Sequence, residues 1–197
     1  MDLIKKQLLN KQFSFSIISV KITFDRPNNR LKSKIIAKIY DIIIKEKREN
    51  MNIAIASDHR GIEYKKQIIE YLKEKDYTII DCSPKNTPTD DYPDFAFSVC
   101  EKVVNKEAEI GILLCRTGIG MSIAANKVKG IRCAKINSIE DAILSRNDNG
   151  ANVMTFNYTE DIKNIKSYID AFITAELIND QRHKRRVDKI ISYEESH

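Results

Sequence analysis

The stretch IGILLCRTGIGMSIAANKV, residues 110–128, changes from one hydrophobic pattern to another. Its first part, Ile110–Cys115, is a short continuous apolar run, which is typical of a strand buried on both faces. A glycine-containing turn follows at Arg116–Gly120. From Ile119 to Val128 the apolar residues recur at helical spacing, so a strand, a turn and a helix are predicted in succession.

The same alternation of strand and helix extends over the segment that begins at Met51. Further strands are predicted at Asn52–Ser57, Tyr77–Cys82, Ile131–Ile136 and Asn152–Phe156. Further helices are predicted at Gly61–Lys75, Phe95–Val104, Ile139–Arg146 and Asp161–Leu177. Short apolar strands that alternate with helices require right-handed crossovers and a parallel sheet covered on both faces. We therefore predict an α/β fold, a Rossmann-like three-layer sandwich with a five-stranded parallel sheet.

The excess of basic residues is confined to the start of the chain. Residues 1–50 hold 12 Lys and Arg against 5 Asp and Glu, whereas residues 51–197 hold 21 against 23. A general nucleic-acid surface needs many Lys and Arg, so the nearly neutral domain argues against nucleic acid as a partner. For the basic leader, an arm that binds a phosphate backbone remains an alternative.

Residues 1–50 are predicted to be a basic N-terminal extension of unknown role. Their acidic residues weaken a transit-peptide interpretation, and an interrupted apolar stretch weakens a secretory one. Organelle targeting and a start-site artefact both remain open, because Met51 begins a sequence that looks like a complete domain. The domain is predicted over residues 51–180 and a basic tail, with little to bury, over residues 181–197.

Cysteine spacing and hydropathy exclude several classes of protein. No apolar run approaches the roughly 18–20 residues that span a bilayer, so no membrane association is expected. The cysteines are Cys82, Cys100, Cys115 and Cys133, without a CxxC pair for zinc or redox chemistry. A reduced, cytoplasmic protein without a metal is the simplest interpretation.

Polar residues collect where the predicted strands end, which is where ligands bind in open parallel sheets. Asp58 and His59 follow the first strand, and Asn149 follows the fourth helix. The segment Cys115–Gly120 follows the third strand, and a Gly-x-Gly turn that opens a helix offers free backbone N–H groups to an anion. An ordinary N-cap at Asp58 and an ordinary turn at Gly118 remain open alternatives.

Cys115 sharpens the case for a site, because it stands directly before that turn. A thiol beside a helix N-terminus and next to Arg116 is expected to favour the thiolate form. An inert cysteine is the alternative, and the residues by themselves do not separate a nucleophile from a base.

The tail contributes cations, because Arg182 and Arg186 are four residues apart and share one helical face. Arginine suits a bidentate grip on phosphate or carboxylate. A solvated basic tail is the alternative.

Taken together, these segments resemble the B-type ribose-5-phosphate isomerases and the related galactose-6-phosphate and allose-6-phosphate isomerases. The resemblance covers residues 51 to about 190, and residues 1–50 have no counterpart. The matching text is IAIASDHRG from Ile53, DYP from Asp91, ILLCRTGIGMSIAANKVKGIR from Ile112, LSR from Leu144, Asn152-Val153 and RHKRRV from Arg182.

The resemblance implies an aldose–ketose isomerase of the pentose phosphate pathway that acts without metal or organic cofactor. In such enzymes a base removes the proton beside the carbonyl, a cis-enediolate forms, and the proton returns to the neighbouring carbon. The implied base is Cys115, and the backbone amides of Arg116, Thr117, Gly118, Ile119 and Gly120 would hold the enediolate oxygen.

Binding roles are implied in the same way. Asp58 and Tyr92 would hold sugar hydroxyls, and Asn149 would contact the substrate. His59 would lie near the phosphate. Arg182 and Arg186 would clamp the phosphate from the neighbouring subunit, so the site would be complete only in a homodimer, or in a tetramer built from dimers.

Three positions depart from the family pattern. Arg116 replaces the usual Gly, and a left-handed backbone there would be strained. Asp148 stands at the position of the ring-opening His, and a carboxyl group is a poor acid at neutral pH. The segment Asn157–Thr159 lacks an Arg that often follows the last strand, which removes one phosphate cation.

Three functions are therefore considered. The first is interconversion of ribose 5-phosphate and ribulose 5-phosphate. The second is isomerisation of a six-carbon sugar phosphate, and the third is sugar-phosphate binding without catalysis, which Arg116 and Asp148 motivate. A redox or phosphatase role for Cys115 is less favoured, because Met121–Ala125 offers no Arg to cradle a phosphate.

Overall fold

The computed structural model describes residues 51–197, and the predicted N-terminal extension lies outside the described residues. The strands are β1 (Asn52–Ser57), β2 (Thr78–Asp81), β3 (Ile110–Cys115), β4 (Cys133–Lys135) and β5 (Val153–Asn157). The helices are α1 (Ile62–Lys73), α2 (Tyr92–Val104), α3 (Ile119–Ala125), α4 (Ile139–Asn147), α5 (Ile162–Thr174) and α6 (Gln181–Ser196). The five strands form one parallel sheet in the order β2-β1-β3-β5-β4.

Two apolar layers cover the sheet, one on each face. On one face, Ile53, Ile55 and Ile112 pack against α1 and α5, with Phe172 among the fully buried side chains. On the other face, alanines of β1 and Leu113 pack against α2 and α3. The predicted α/β sandwich with a five-stranded parallel sheet is confirmed.

The first residue of α2 and the last residue of α3 differ from the predictions, because local capping interactions set them. Helix α2 begins at Tyr92 rather than Phe95, because Asp91 is extended and Pro93 suits the first helical turn. Helix α3 ends at Ala125, and the next side chain, Asn126, accepts a hydrogen bond from Cys133 N at 2.8 Å. The amide of Asn126 donates to the carbonyl of Ser122, so this residue closes the helix and ties it to β4.

The tail, predicted to have little to bury, is mostly exposed, but two of its residues are buried. The tail forms α6, whose N-cap Asp180 accepts a hydrogen bond from Arg182 N at 2.7 Å. His183 and Val187, one turn apart, are buried, and Glu194 accepts a hydrogen bond from Gly130 N at 2.8 Å. The sequence does not reveal this face, because its two buried residues lie within a dense run of charged residues.

In the part of the chain that the structure describes, no helix has the length and apolar character required to cross a membrane.

A buried lysine ties β2 to the loop that follows it. Lys65 Nζ lies 2.9 Å from Asp81 Oδ1 and 2.9 Å from Ser83 Oγ, and it also donates to the carbonyl of Ser83. Ser83 Oγ in turn accepts a hydrogen bond from Ser57 N at 3.0 Å. The ammonium group therefore fixes the segment after β2 against the end of β1.

We expect Lys65→Met to lower the free energy of unfolding by about 2–3 kcal/mol, because it leaves Asp81 and the buried Ser83 without their shared donor. Urea unfolding measures this change. The matched control is Lys66→Met at the exposed neighbouring position, with an expected effect within about 0.5 kcal/mol. Equal effects of the two substitutions would contradict a role for the buried network.

Candidate active site

The loops after β1, β3 and β5 meet at the carboxyl edge of the sheet. Ser57 is in register with Leu114, and Cys115 with Asn157. Asp58 N donates to Leu114 O at 3.0 Å, and Tyr158 N donates to Cys115 O at 3.4 Å. The three neighbouring strands therefore place Asp58, His59, Cys115 and Arg116 at one rim.

Cys115 is the last residue of β3, and its sulfur receives a main-chain hydrogen bond. Gly118 N donates to Cys115 Sγ at 3.2 Å. The side chain of Cys115 is buried, with 6% of the residue exposed. An N–H group directed at a sulfur favours negative charge on it, and the turn supplies such a group to Cys115.

The turn that aims this donor depends on glycine. Gly118 has a φ of 72°, and a Cβ atom there would lie 3.1 Å from the carbonyl carbon of Phe156. Thr155 Oγ1 donates to Gly118 O at 2.9 Å. Strand β5 thus fixes the turn through this hydrogen bond. Helix α3 begins directly after Gly118, at Ile119.

Tyr92 lies directly over the same turn. A Cβ atom at Gly120 would approach the Tyr92 ring to 2.8 Å, so the two residues are in contact only because position 120 has no side chain. Tyr92 itself is 42% exposed. The structure therefore brings Tyr92, which begins α2, to the turn that follows Cys115.

Arg116 is exposed and is not strained. Among the described residues only Asp76 and Lys106 combine a side chain with a positive φ, so the left-handed backbone considered for Arg116 is absent. Its guanidinium makes no hydrogen bond or ion pair within residues 51–197. A free cation therefore stands beside the sulfur-bearing strand end, next to the loop Asn157–Thr159.

Asp58 shapes the loop after β1 rather than capping α1 directly. The N-cap residue of α1 is Gly61, which makes no side-chain cap. Asp58 Oδ1 accepts hydrogen bonds from Arg60 N and Gly61 N, both at 3.0 Å. His59 Nδ1 is buried without a hydrogen-bond partner among the described residues. An unpaired buried nitrogen is costly, and a bound ligand would relieve that cost.

The remaining predicted residues form a second cluster, at the opposite edge of the sheet. Asp148 is the C-cap residue of α4. The carbonyl of Asn149 accepts a hydrogen bond at 3.0 Å from Nε of Arg132, the residue just before β4. His183 Nδ1 of α6 lies 3.7 Å from Asp148 Oδ1. Arg182 and Arg186 belong to the first turns of the same helix.

The length of the strands separates the two clusters. Asn149 precedes Val153 at the start of β5, whereas Asn157 at its end is in register with Cys115. This strand rises roughly 13 Å over its length. Within one chain, Cys115 and Asp148 therefore do not meet.

A cavity of about 920 Å³ lies beside the second cluster, and Cys115 is not among its lining residues. Its walls include Asn149, Arg132, Lys127 and Tyr193. This cavity thus adjoins α6 and the β4 edge.

Sequence reasoning missed two kinds of supporting residue. Thr155 holds the Gly118 turn, and its signal was a hydroxyl within the apolar strand Val153–Asn157. Arg132 and Arg146 anchor the loop of the second cluster through the carbonyls of Gly150 and Ala151. No sequence pattern identifies these partners, because they depend on which loops become neighbours.

The other three cysteines have environments that disfavour the thiolate. Burial raises the pKa of Cys100 to about 12, and burial first, with Cys100 nearby, raises the pKa of Cys133 to about 12. Burial also raises the pKa of Cys82. Among residues 51–197, no group of three or more His, Cys, Asp or Glu side chains is placed to hold a metal ion.

Comparison with known proteins identifies the family of this chain. The family model described as Ribose/Galactose Isomerase matches residues 53–190. The chain belongs to this family. Its relatives include a probable ribose-5-phosphate isomerase B of Mycoplasma genitalium, which is 46% identical over 149 residues, covering 74% of this chain and 97% of the relative.

Solved structures of the family share the fold. A ribose-5-phosphate isomerase B of Mycoplasma genitalium with bound ribulose 5-phosphate is 42% identical, with a TM-score of 0.70 over 75% of this chain and 99% of that chain. A type B enzyme from Trypanosoma cruzi is 40% identical, with a TM-score of 0.70 over 74% and 99%. The predicted family and the predicted isomerase class are confirmed.

The role of Gly118 is testable with a matched control. Gly130 also has a positive φ, of 85°, but a Cβ atom there would meet only Val104 at 3.8 Å. We expect Gly130→Ala to cost about 1 kcal/mol of stability and to leave turnover unchanged. Gly118→Ala should cost about 2–3 kcal/mol, because it also presses on the Phe156 backbone. It should reduce kcat about 10²-fold by moving the donor. Urea unfolding and turnover measure both; equal turnover of the two variants would contradict this role.

Thiol alkylation distinguishes Cys115 from the other cysteines. Thiolates react with iodoacetamide and thiols do not, so residues whose pKa is raised stay unreactive at neutral pH. We therefore expect one modified thiol per chain, at Cys115, by intact mass and peptide mapping. The Cys115→Ser variant should remain unmodified under the same conditions. Faster modification of Cys82 or Cys133 would contradict the assignment.

Proposed function

We propose that this protein interconverts ribose 5-phosphate and ribulose 5-phosphate as an enzyme of the pentose phosphate pathway. The observation that carries the proposal is the hydrogen bond from Gly118 N to Cys115 Sγ at the carboxyl edge of the sheet. Family membership and a relative with bound ribulose 5-phosphate support it.

Cys115 is the base in this proposal. Its thiolate removes the proton on the carbon beside the carbonyl, and the electron pair moves to the carbonyl oxygen to form a cis-enediolate. The hydroxyl proton on O2 of the enediolate passes to O1, and the proton on sulfur is delivered to C1, so the ketose forms without loss of atoms and Cys115 returns to its starting state. The N–H group that donates to Cys115 Sγ is thus also near the negative charge of the intermediate.

The backbone amides of Arg116–Gly120 stabilise the enediolate oxygen. They lie in a turn that β5 holds through Thr155, so they need no reorganisation when charge develops. Removing one such donor typically costs about 3–4 kcal/mol of barrier. Arg116, whose backbone is not left-handed and whose guanidinium is free, adds positive charge at the same rim.

Substrate recognition is divided among the rim and the second cluster. Asp58 and Tyr92 hold sugar hydroxyls, and His59, with its unpaired buried nitrogen, lies near the phosphate. Asn149 contacts the sugar, while Arg182 and Arg186 clamp the phosphate. Arginine pairs match phosphate oxygens bidentately.

Because the two clusters lie at opposite edges of one sheet, we propose a homodimer in which α6 and the Asp148 loop of one subunit complete the partner's site. Exposed apolar residues next to the rim support an interface there. Ile119 and Ile123, one turn apart on α3, are 52% and 59% exposed. Burying such a pair between subunits is favourable.

Turnover of ribose 5-phosphate by the purified full-length chain tests the reaction. The expected result is interconversion that Cys115→Ala abolishes, with a higher kcat/KM for five-carbon than for six-carbon sugar phosphates. A preference for a six-carbon substrate would assign the second candidate function. Micromolar binding without turnover would mean a binding protein and would refute the proposal.

A mixing experiment tests the shared site. Cys115→Ala retains its arginines, and the double variant Arg182→Ala with Arg186→Ala retains its cysteine, so each is expected to be inactive by itself. After unfolding and refolding together in equal amounts, half of the dimers are mixed and each carries one intact site. About one quarter of wild-type activity should return.

Refolding either variant with wild-type chains is the control for recovery of the procedure. No activity from the mixed inactive variants, with normal recovery in the control, would show that each site is built from a single chain.

A further inference from the structure

His183 is the buried member of the basic tail. Its neighbours Arg182 and Lys184 are exposed, whereas His183 is 9% exposed and packs against the end of α4. Its Nδ1 atom lies 3.7 Å from Asp148 Oδ1. This separation is longer than a hydrogen bond but within the range of an ion pair. The ring therefore stands between α6 and the residue that replaces the family's histidine.

The second ring nitrogen identifies the tautomer. Arg182 Nη2 lies 3.2 Å from His183 Nε2, and a guanidinium has only donors. Nε2 is therefore the acceptor, and the hydrogen of the neutral ring is on Nδ1, towards Asp148. A carboxylate beside Nδ1 holds an imidazole for proton transfer at Nε2, as in hydrolytic triads.

Charged groups surround the ring. Asp148 faces the ring from α4, and Asp180 lies at the N-terminus of α6. The pKa of Asp180 is lowered, first by the hydrogen bond from Arg182 N and then by the nearby positive charge of Arg182. Arg182 is the opposing cation, and it is also the proposed phosphate ligand.

We propose that His183 transfers the proton that opens the sugar ring, with Asp148 as its positioning residue. The inference rests on the proposed function, because a cyclic aldose must open before Cys115 can act on it. It also gives Asp148 a part in the same step, because its carboxylate lies 3.7 Å from the His183 ring.

The step balances within the sugar and the imidazole. When the phosphate draws Arg182 away, Nε2 accepts the proton of the anomeric hydroxyl. The C1–O4 bond breaks as a carbonyl forms at C1, and its electron pair goes to O4. Nε2 then returns the proton to O4, which leaves an open-chain aldose and a neutral His183. Asp148 stabilises the positive charge that the ring carries between the two transfers.

The two directions of the reaction separate ring opening from isomerisation. Ribose 5-phosphate is largely a furanose, whereas the phosphate of ribulose 5-phosphate blocks the hydroxyl that would close its ring. A chain that isomerises but does not open rings should therefore still consume ribulose 5-phosphate. Its action on ribose 5-phosphate should be limited by spontaneous ring opening.

The test uses His183→Asn, whose amide occupies the place of Nδ1 but carries no exchangeable proton at Nε2. We expect kcat/KM for ribose 5-phosphate to fall about 10²-fold or more. The rate should reach a ceiling that added enzyme does not raise. Consumption of ribulose 5-phosphate, followed by its ketose absorbance, should stay within a few-fold of wild type. The matched control Lys184→Gln, at the exposed neighbour, should behave as wild type in both directions.

Asp148→Asn provides a second, independent variant. It should show the same loss that is specific to ribose 5-phosphate, because the ring then lacks its carboxylate. Unchanged kinetics of His183→Asn would overturn the proposal, as would equal losses in both directions for the two variants. Loss in Asp148→Asn with none in His183→Asn would make Asp148 itself the acid. Inactivity of the wild type would refute the proposed function instead.

Discussion

The hydrogen bond from Gly118 N to Cys115 Sγ is the interaction on which the rest of the site depends. It requires a left-handed residue three positions after the end of a buried strand, and only glycine fits there, because the Phe156 backbone lies against it. Thr155 fixes the carbonyl of the same glycine from β5. The sheet thus supplies both the sulfur and the support that keeps an N–H group directed at it.

The parallel sheet also places the two clusters of predicted site residues at its opposite edges. Loops at the carboxyl ends carry the sulfur and Tyr92, whereas the loop after α4 and the start of α6 lie at the amino ends. A strand of ordinary length keeps these groups apart within one chain. In the proposed dimer this separation becomes useful, because each subunit then presents chemistry at one edge and binding groups at the other.

Two of the departures from the family pattern lie beside segments that come from elsewhere in the chain. Arg116 follows Cys115, whose carbonyl accepts a hydrogen bond from Tyr158 N in the loop Asn157–Thr159. Asp148 lies beside His183 of α6, so a carboxylate and an imidazole share the second cluster. Each substitution is read correctly only with its spatial neighbour, since neither pair is adjacent in sequence.

The sequence by itself determined the alternation of strands and helices, and with it the parallel sheet, because hydrophobic periodicity is local. It also identified Cys115 and the glycine turn, whose residues are contiguous. It did not determine that the charged tail would form a packed helix, nor that His183 would lie beside Asp148. Those contacts join segments far apart in the chain, and only the packing of α6 against the end of α4 brings them together.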